Sequence, residues 1–310
     1  MPDRFIIGTR GSRLALVQTR QVREALRRAR PALRVDLQVI RTQGDRDRTT
    51  PLDRIGGHGV FVRGIERALA AGEIDCAVHS LKDMPSESPP GLVVAAIPIR
   101  EDPSDVWVAR GGCPLSEIGT GARVGTGSLR RAAQLRAVRP DLEVIPIRGN
   151  VETRLAAVDE GAVEAVVLAA AGIRRLDLAA DIGRRLPFPE FLPAPGQGAL
   201  AVQVRTEDRD AIEVVRPVHD GESAAAVTAE RAFLAALGGG CRAPIAALGT
   251  VEGNRLHLHG RVLAPDGSRI VEDGLEAGLE EAAGAGRELA SRLVGAGAGA
   301  LLAESRRHSA

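Results

Sequence analysis

Tyrosine is absent from this chain of 310 residues, lysine occurs once, and aromatic residues make up 2%. So few aromatics leave no stacking platform for single-stranded nucleic acid. A net charge of +1 gives no chain-wide basic surface, so any anion site must come from local arginine clusters. The three cysteines, Cys76, Cys113 and Cys241, are odd in number and widely spaced. They suit neither a disulfide framework nor a zinc site. No apolar run reaches the length of a membrane span, and Met1 to Arg10 lacks the apolar region of a signal peptide. A cytoplasmic protein is expected, with no nucleic-acid, membrane or metal partner.

What is present describes a globular chain. Hydrophobic residues are 44% and charged residues 26%, enough apolar material for cores in two or three domains. The pattern Phe5-Ile6-Ile7, Gly8-Thr9-Arg10-Gly11-Ser12 predicts a strand and a helix capped by Ser12, running to about Arg30. Leu33 to Ile40 predicts a second strand, Val60 to Ala71 a helix and Ile74 to Val78 a third strand. Between them lies a polar, glycine-rich loop, 42–59, longer than the usual connection and expected to act as a lid.

The series then recurs. Ala122-Arg123-Val124 leads into Gly125-Thr126-Gly127-Ser128, a helix, a strand ending at Arg148, a helix from Val151 and a strand over 161–168. Two similar α/β lobes follow. Ala199 to Val204 is expected to return the chain to the first of them. Beyond Gly221 the pattern changes to a helix over 222–237, three strands joined by Glu252-Gly253-Asn254 and Pro265-Asp266-Gly267, and one long helix over 279–302. The expected division is lobe 1 over 1–100 and 198–218, lobe 2 over 101–197, and an α+β domain with a three-stranded antiparallel sheet over 219–310.

His79-Ser80-Leu81-Lys82-Asp83-Met84-Pro85 holds the single lysine, in a chain with arginine at the other 40 of its 41 basic positions. It follows a buried strand, where open α/β sheets place ligands. An ammonium beside a carboxylate tunes that carboxylate; the plainer alternative is a strand-end salt bridge. Arg10, Arg130, Arg131, Arg148, Arg154, Arg174 and Arg175 fall at strand-to-helix junctions of both lobes. Helix N-termini favour anions, and guanidinium forks hold carboxylates. A ligand with several carboxylates or phosphates is expected at these strand ends. Cys241, behind Gly238-Gly239-Gly240 and beside Arg242, is a candidate reactive thiol; Cys113 is a lesser one, and Cys76 is expected to be buried. His257 and His259 share a strand face without an evident third metal ligand.

At these residues the sequence closely resembles the porphobilinogen deaminase family, nearly end to end. Gly8-Thr9-Arg10-Gly11-Ser12, His79 to Pro85, Gly125 to Arg131, Arg148-Gly149-Asn150-Val151, Pro195-Gly196-Gln197-Gly198 and Gly239-Gly240-Cys241 carry the resemblance. It implies two lobes like type II periplasmic binding proteins and a small third domain. It also implies stepwise head-to-tail condensation of porphobilinogen, with loss of ammonia, onto a dipyrromethane cofactor thioether-linked to Cys241. A monomer is expected. The resemblance assigns Asp83, with Lys82, to acid/base catalysis and charge stabilisation. It assigns Lys82, Asp83, Ser80, Asp45, Thr126, Ser128, Arg130, Arg131 and Gln197 to the cofactor. Arg10, Ser12, Gln18, Arg148, Arg154 and Arg175 match substrate-binding positions. Arg54 and His58 stand where members often carry lid lysines, which makes the lid charge pH-dependent through His58.

Overall fold

The structure is a computed structural model that describes residues 4–40, 62–178, 183–238 and 243–308. The expected lid 42–59, with Asp45, Arg54 and His58, and the turn carrying Cys241 lie outside the described residues. In chain order the elements are β1 (Arg4–Thr9), α1 (Arg13–Ala29), β2 (Arg34–Val39), α2 (Arg63–Ala70), β3 (Cys76–Ser80), β4 (Leu92–Ala96) and β5 (Asp105–Ala109). Next come β6 (Arg123–Gly125), α3 (Leu129–Val138), β7 (Glu143–Ile145), α4 (Val151–Asp159), β8 (Ala165–Ala169), α5 (Ala170–Arg175), β9 (Arg184–Arg185), β10 (Leu200–Arg205) and α6 (Arg209–Val215). Last are α7 (Gly221–Ala236), β11 (Ile245–Glu252), β12 (Arg255–Leu263), β13 (Ile270–Gly278), α8 (Ala282–Gly295) and α9 (Ala298–His308). They form two compact units, 1–101 with 198–224 and 102–197 with 225–310.

In the first unit five strands are ordered β2-β1-β3-β10-β4. β1 runs parallel to β2 and β3, and β10 returns antiparallel to β3 and β4, as expected of the strand over 199–204. One face packs Phe5, Ile7, Cys76, Val78, Leu200, Val202 and Val204 against Val22 and Leu26 of α1. The other packs Ala77 and Leu92 against Ile65, Ala68 and Leu69 of α2. Each large side chain so buried contributes roughly 1.5–3 kcal/mol. Ser12 caps α1 by accepting from Ala15 N at 3.3 Å, and Pro31 lies just past the end of the helix at Arg30.

The second unit repeats the frame. Its first sheet is ordered β7-β6-β8-β5-β9, with β6 parallel to β7 and β8 and β5 antiparallel to β8. The glycines that open the two signatures lie close against neighbouring side chains. A Cβ on Gly8 would lie 2.2 Å from Ile74 Cδ1, and one on Gly125 would lie 3.0 Å from Ile147 and 3.2 Å from Val166. The same unit holds the antiparallel sheet β11-β12-β13, whose Leu256, Leu258 and Val262 pack against Phe233 of α7 and Leu289 and Leu293 of α8.

Both lobes and the three-stranded sheet match the expected fold class. The expected single helix over 279–302 does not: a 3-10 turn, Leu279–Glu281, precedes α8, and α8 and α9 are separate. Gly297 has φ +103°, and Ala296 N and Gly297 N donate to the carbonyls of Arg292 and Val294. A left-handed glycine with these bonds ends a helix. The sequence reading also passed over β4 and β5.

Candidate active site

β3 ends at Ser80 and runs into a 3-10 turn, Leu81–Asp83. Buried Leu81 and Met84 anchor that turn. Leu81 N donates to Ala199 O on the neighbouring segment at 3.0 Å. Between the anchors, Lys82 is half-buried and Asp83 exposed, so the turn presents an ammonium and a carboxylate at a strand end. Ser80 does not stand alone: Gln18 Nε2 of α1 donates to its Oγ at 2.9 Å. Ser12 spends its oxygen on the α1 cap, and Arg10 is half-buried beside it.

His79, next to this turn, is 5% exposed. Burial pulls its imidazole down to about 4; the Gln203 carboxamide opposes this and the Arg10 charge adds to it. The ring is therefore neutral at neutral pH, and its Nε2 has no hydrogen-bond partner among the described residues. Gln203, also buried, donates to Glu66 Oε1 of α2 at 3.1 Å.

At the matching junction of the second unit, Ser128 caps α3 by accepting from Arg131 N at 3.4 Å. Thr126 Oγ1 accepts from Ser128 N at 3.2 Å. Arg130 and Arg131 are 4% and 5% exposed and converge on Asp105, which is fully buried. Arg130 Nη1 donates to Asp105 Oδ2 at 2.6 Å and to Leu192 O at 2.6 Å. Arg131 Nε and Nη2 donate to Asp105 Oδ1 at 3.1 and 2.8 Å, and Nη1 to Val167 O at 3.0 Å. Gln197 completes the cluster: its Nε2 donates to Asp105 Oδ1 at 2.8 Å, and its Oε1 accepts from Arg131 at 3.5 Å. Burial pushes the Asp105 carboxyl up, but the Arg130 and Arg131 charges outweigh it and hold it well below the usual carboxylate range. Burial pulls the Arg130 guanidinium down, with Asp105 opposing.

Arg148 and Arg154 flank Gly149, whose φ of +110° and lack of room beside Thr153 exclude a side chain. Arg154 Nε donates to Gly149 O at 3.1 Å. Arg175 lies in the last turn of α5, after Arg174, which pairs with Asp102 at 3.0 Å.

The remaining candidates find ordinary places. Cys76 is buried, and burial pushes its thiol up. Cys113 is half-buried, with its carbonyl accepting from Trp107 Nε1 at 2.9 Å. His257 and His259 face Glu276 and Glu272 at 3.2 and 3.4 Å. Among the described residues no group of three His, Cys, Asp or Glu is placed to hold a metal ion, and no helix is long and apolar enough to cross a membrane.

The residue that sequence reasoning missed is Asp105. Its signal was an acid at the head of the apolar run Val106-Trp107-Val108, in a chain with arginines to spare. Glu230 was missed likewise: fully buried on α7, it accepts from Gly196 N at 2.6 Å and Gly249 N at 2.7 Å.

Residues 5–213 match the family described as "Porphobilinogen deaminase, dipyromethane cofactor binding domain", and residues 224–295 match "Porphobilinogen deaminase, C-terminal domain". The chain belongs to the porphobilinogen deaminase family. A porphobilinogen deaminase of Roseiflexus castenholzii is 48% identical over 303 residues, covering 98% of this chain and all of the relative. Another, of Moorella thermoacetica, is 47% identical over 303 residues, covering 98% of this chain and 97% of the relative. Among solved structures, a putative methionine-binding lipoprotein of Bacillus subtilis is 12% identical with a TM-score of 0.44, covering 71% of this chain and 92% of its own. The matched residues span both lobes and the C-terminal sheet, and they include the Lys82-Asp83 turn and the Arg130-Arg131 pair.

Proposed function

We propose that the chain is a hydroxymethylbilane synthase, converting four porphobilinogen molecules and one water into linear hydroxymethylbilane and four ammonia molecules in tetrapyrrole biosynthesis. The family match over nearly the whole chain carries this reading. The residues present fit a cofactor rich in carboxylates. The buried Asp105–Arg130–Arg131 cluster has one guanidinium more than carboxylate, and Arg130 Nε is buried without a hydrogen-bond partner among the described residues. Dipyrromethane, held by a thioether to Cys241, supplies the pyrrole to which the incoming unit is joined.

In this reading Asp83 holds and delivers the proton that lets the aminomethyl nitrogen leave as ammonia. Once the proton is delivered, its carboxylate stabilises the positive charge left on the pyrrole, and Lys82 stands beside it on the same turn. Arg130 and Arg131 orient ligand carboxylates, as do Arg10, Arg148, Arg154 and Arg175. Gln18 holds Ser80, and Gln197 braces Arg131, so both act one step behind the ligand; Thr126, Ser128, Ser12 and Asp45 supply supporting polar contacts. The dispersed, odd-numbered cysteines suit a reducing cytoplasm, and a monomer is the expected state.

The experiment adds porphobilinogen to purified protein and follows ammonia, with intact mass measured under reducing conditions. Ammonia release and a dipyrromethane adduct mapping to Cys241, with Cys76 and Cys113 unmodified, are the expected results. A bare sequence mass in active protein, or an adduct on Cys113, overturns the assignment.

A further inference from the structure

Glu230 is a carboxylate that the packing around it does not need. Apolar contact already holds α7 on the C-terminal sheet: Ala226, Ala229 and Phe233 share one core with Leu256, Leu258 and Leu289. The backbones close up there as well. A Cβ on Gly249 of β11 would lie 2.7 Å from Ala226 O, and one on Gly286 of α8 would lie 2.3 Å from Ala229 O. A buried carboxylate costs desolvation that an apolar side chain at the same place does not.

Its two oxygens go to two different places. Glu230 Oε1 accepts from Gly249 N at 2.7 Å, and Oε2 accepts from Gly196 N at 2.6 Å. The first bond adds to contacts that α7 and β11 make anyway. The second reaches the segment 192–198, which has little hold on itself. Pro193 and Pro195 have no N–H to donate, and Gly196 and Gly198 take φ of +74° and +87°, freedom that costs backbone entropy to fix. Gly196 N is the donor directly before Gln197. The Gln197 side chain is 1% exposed, and its Nε2 donates to Pro103 O at 2.7 Å and to Asp105 Oδ1 at 2.8 Å. A shift of the Gly196 backbone therefore moves the root of that side chain.

We propose that Glu230 is a positioning residue for the reaction: it fixes Gly196 against α7 and β11, the described elements before and after Cys241 in the chain, and so sets Gln197 for the cofactor. The inference rests on the deaminase reading above, which brings the cofactor to Gln197.

The test uses the full chain and reads ammonia release per adduct-bearing molecule, with the adduct counted by intact mass, beside thermal melts. Glu230→Gln leaves one acceptor oxygen for two amides and is expected to lower turnover by about tenfold, the effect of a misplaced group. Phe233→Leu, three residues along α7, is expected to lower melting comparably while turnover stays within about twofold of the parent. Gln197→Ala is expected to lower turnover too. Adding Glu230→Gln to it should lower melting further but turnover by no more than about twofold, the coupling expected of residues that act through one another. A merely structural Glu230 gives Glu230→Gln and Phe233→Leu the same loss of turnover for the same loss of melting, and makes the losses multiply in the double variant. Either result, or unchanged turnover in Glu230→Gln, overturns the role of Glu230 while the deaminase reading stands. If Glu230→Gln does not fold, Glu230→Asp, one methylene shorter, takes its place in the same comparison; failure of both to fold makes Glu230 structural and overturns the proposal. Parent protein with a bare mass and no ammonia release overturns both readings.

Discussion

The two lobes share a frame and differ in where they put charge. At the end of its third strand the first lobe carries Lys82-Asp83; at the same distance beyond β8 the second carries Ala171-Gly172. At the helix start and the antiparallel return the positions reverse: Leu14, Ala15 and Leu200 in the first lobe, Arg130, Arg131 and Asp105 in the second. Where one lobe is charged, the other is apolar. A repeated fold tolerates either solution, and the two lobes differ in kind: Lys82 and exposed Asp83 on a turn of one, a buried guanidinium–carboxylate cluster in the other.

That difference breaks most visibly at Asp83. Asp83→Asn keeps the turn, which Leu81 and Met84 anchor, and should lower ammonia release by about 10²–10⁴-fold with melting unchanged. Turnover near the parent's would remove the first lobe from the chemistry.

The next effect belongs to the second lobe. Asp105→Ala leaves two guanidiniums in a buried site without their carboxylate, and should destabilise by roughly 3–5 kcal/mol. Denaturant unfolding measures it. A loss within ~0.5 kcal/mol, the range of an ordinary surface substitution, would mean that the cluster is solvated in solution.

Acid should separate the lobes. His79 has its folded value depressed to about 4, and Leu168 stands at the equivalent place in the second lobe. Below its unfolded value of about 6.5 the unfolded chain binds the proton first, so the neutral ring's contribution is complete above that pH and is lost as pH falls toward 4. The loss approaches roughly 3 kcal/mol. Hydrogen exchange from pH 7 to 4 should show β3 and β10 losing protection before β8 and β5, and His79→Asn should flatten the difference. Equal loss in both sheets would count against it.

The smallest effect sharpens the repeat itself. Gly8→Ala drives a Cβ to 2.2 Å from Ile74, whereas Gly125→Ala meets Ile147 at 3.0 Å. The first should cost roughly 1–3 kcal/mol and the second less, as thermal melts of the pair would show; the reverse order would mean that the two junctions are not packed alike.

By itself the sequence determined the local frame. Ser12 and Ser128 are caps because their oxygens reach the amides three residues on, a property of neighbours in the chain. Alternating apolar residues with Gly253 and Gly267 at the turns specify β11 to β13, since period and turn chemistry are local too. The Lys82-Asp83 turn was legible for the same reason: its strand, breaker and charges are contiguous. Only the tertiary structure decided the rest. Asp105 lies 25 residues from Arg130 and 92 from Gln197, so an acid at the head of an apolar run does not say which guanidiniums it meets. His79 reads as one more polar residue until Gln203 of β10 arrives beside it and water is excluded. Burial and long-range pairing set which charges remain and what they hold, and both exist only once the strands have come together.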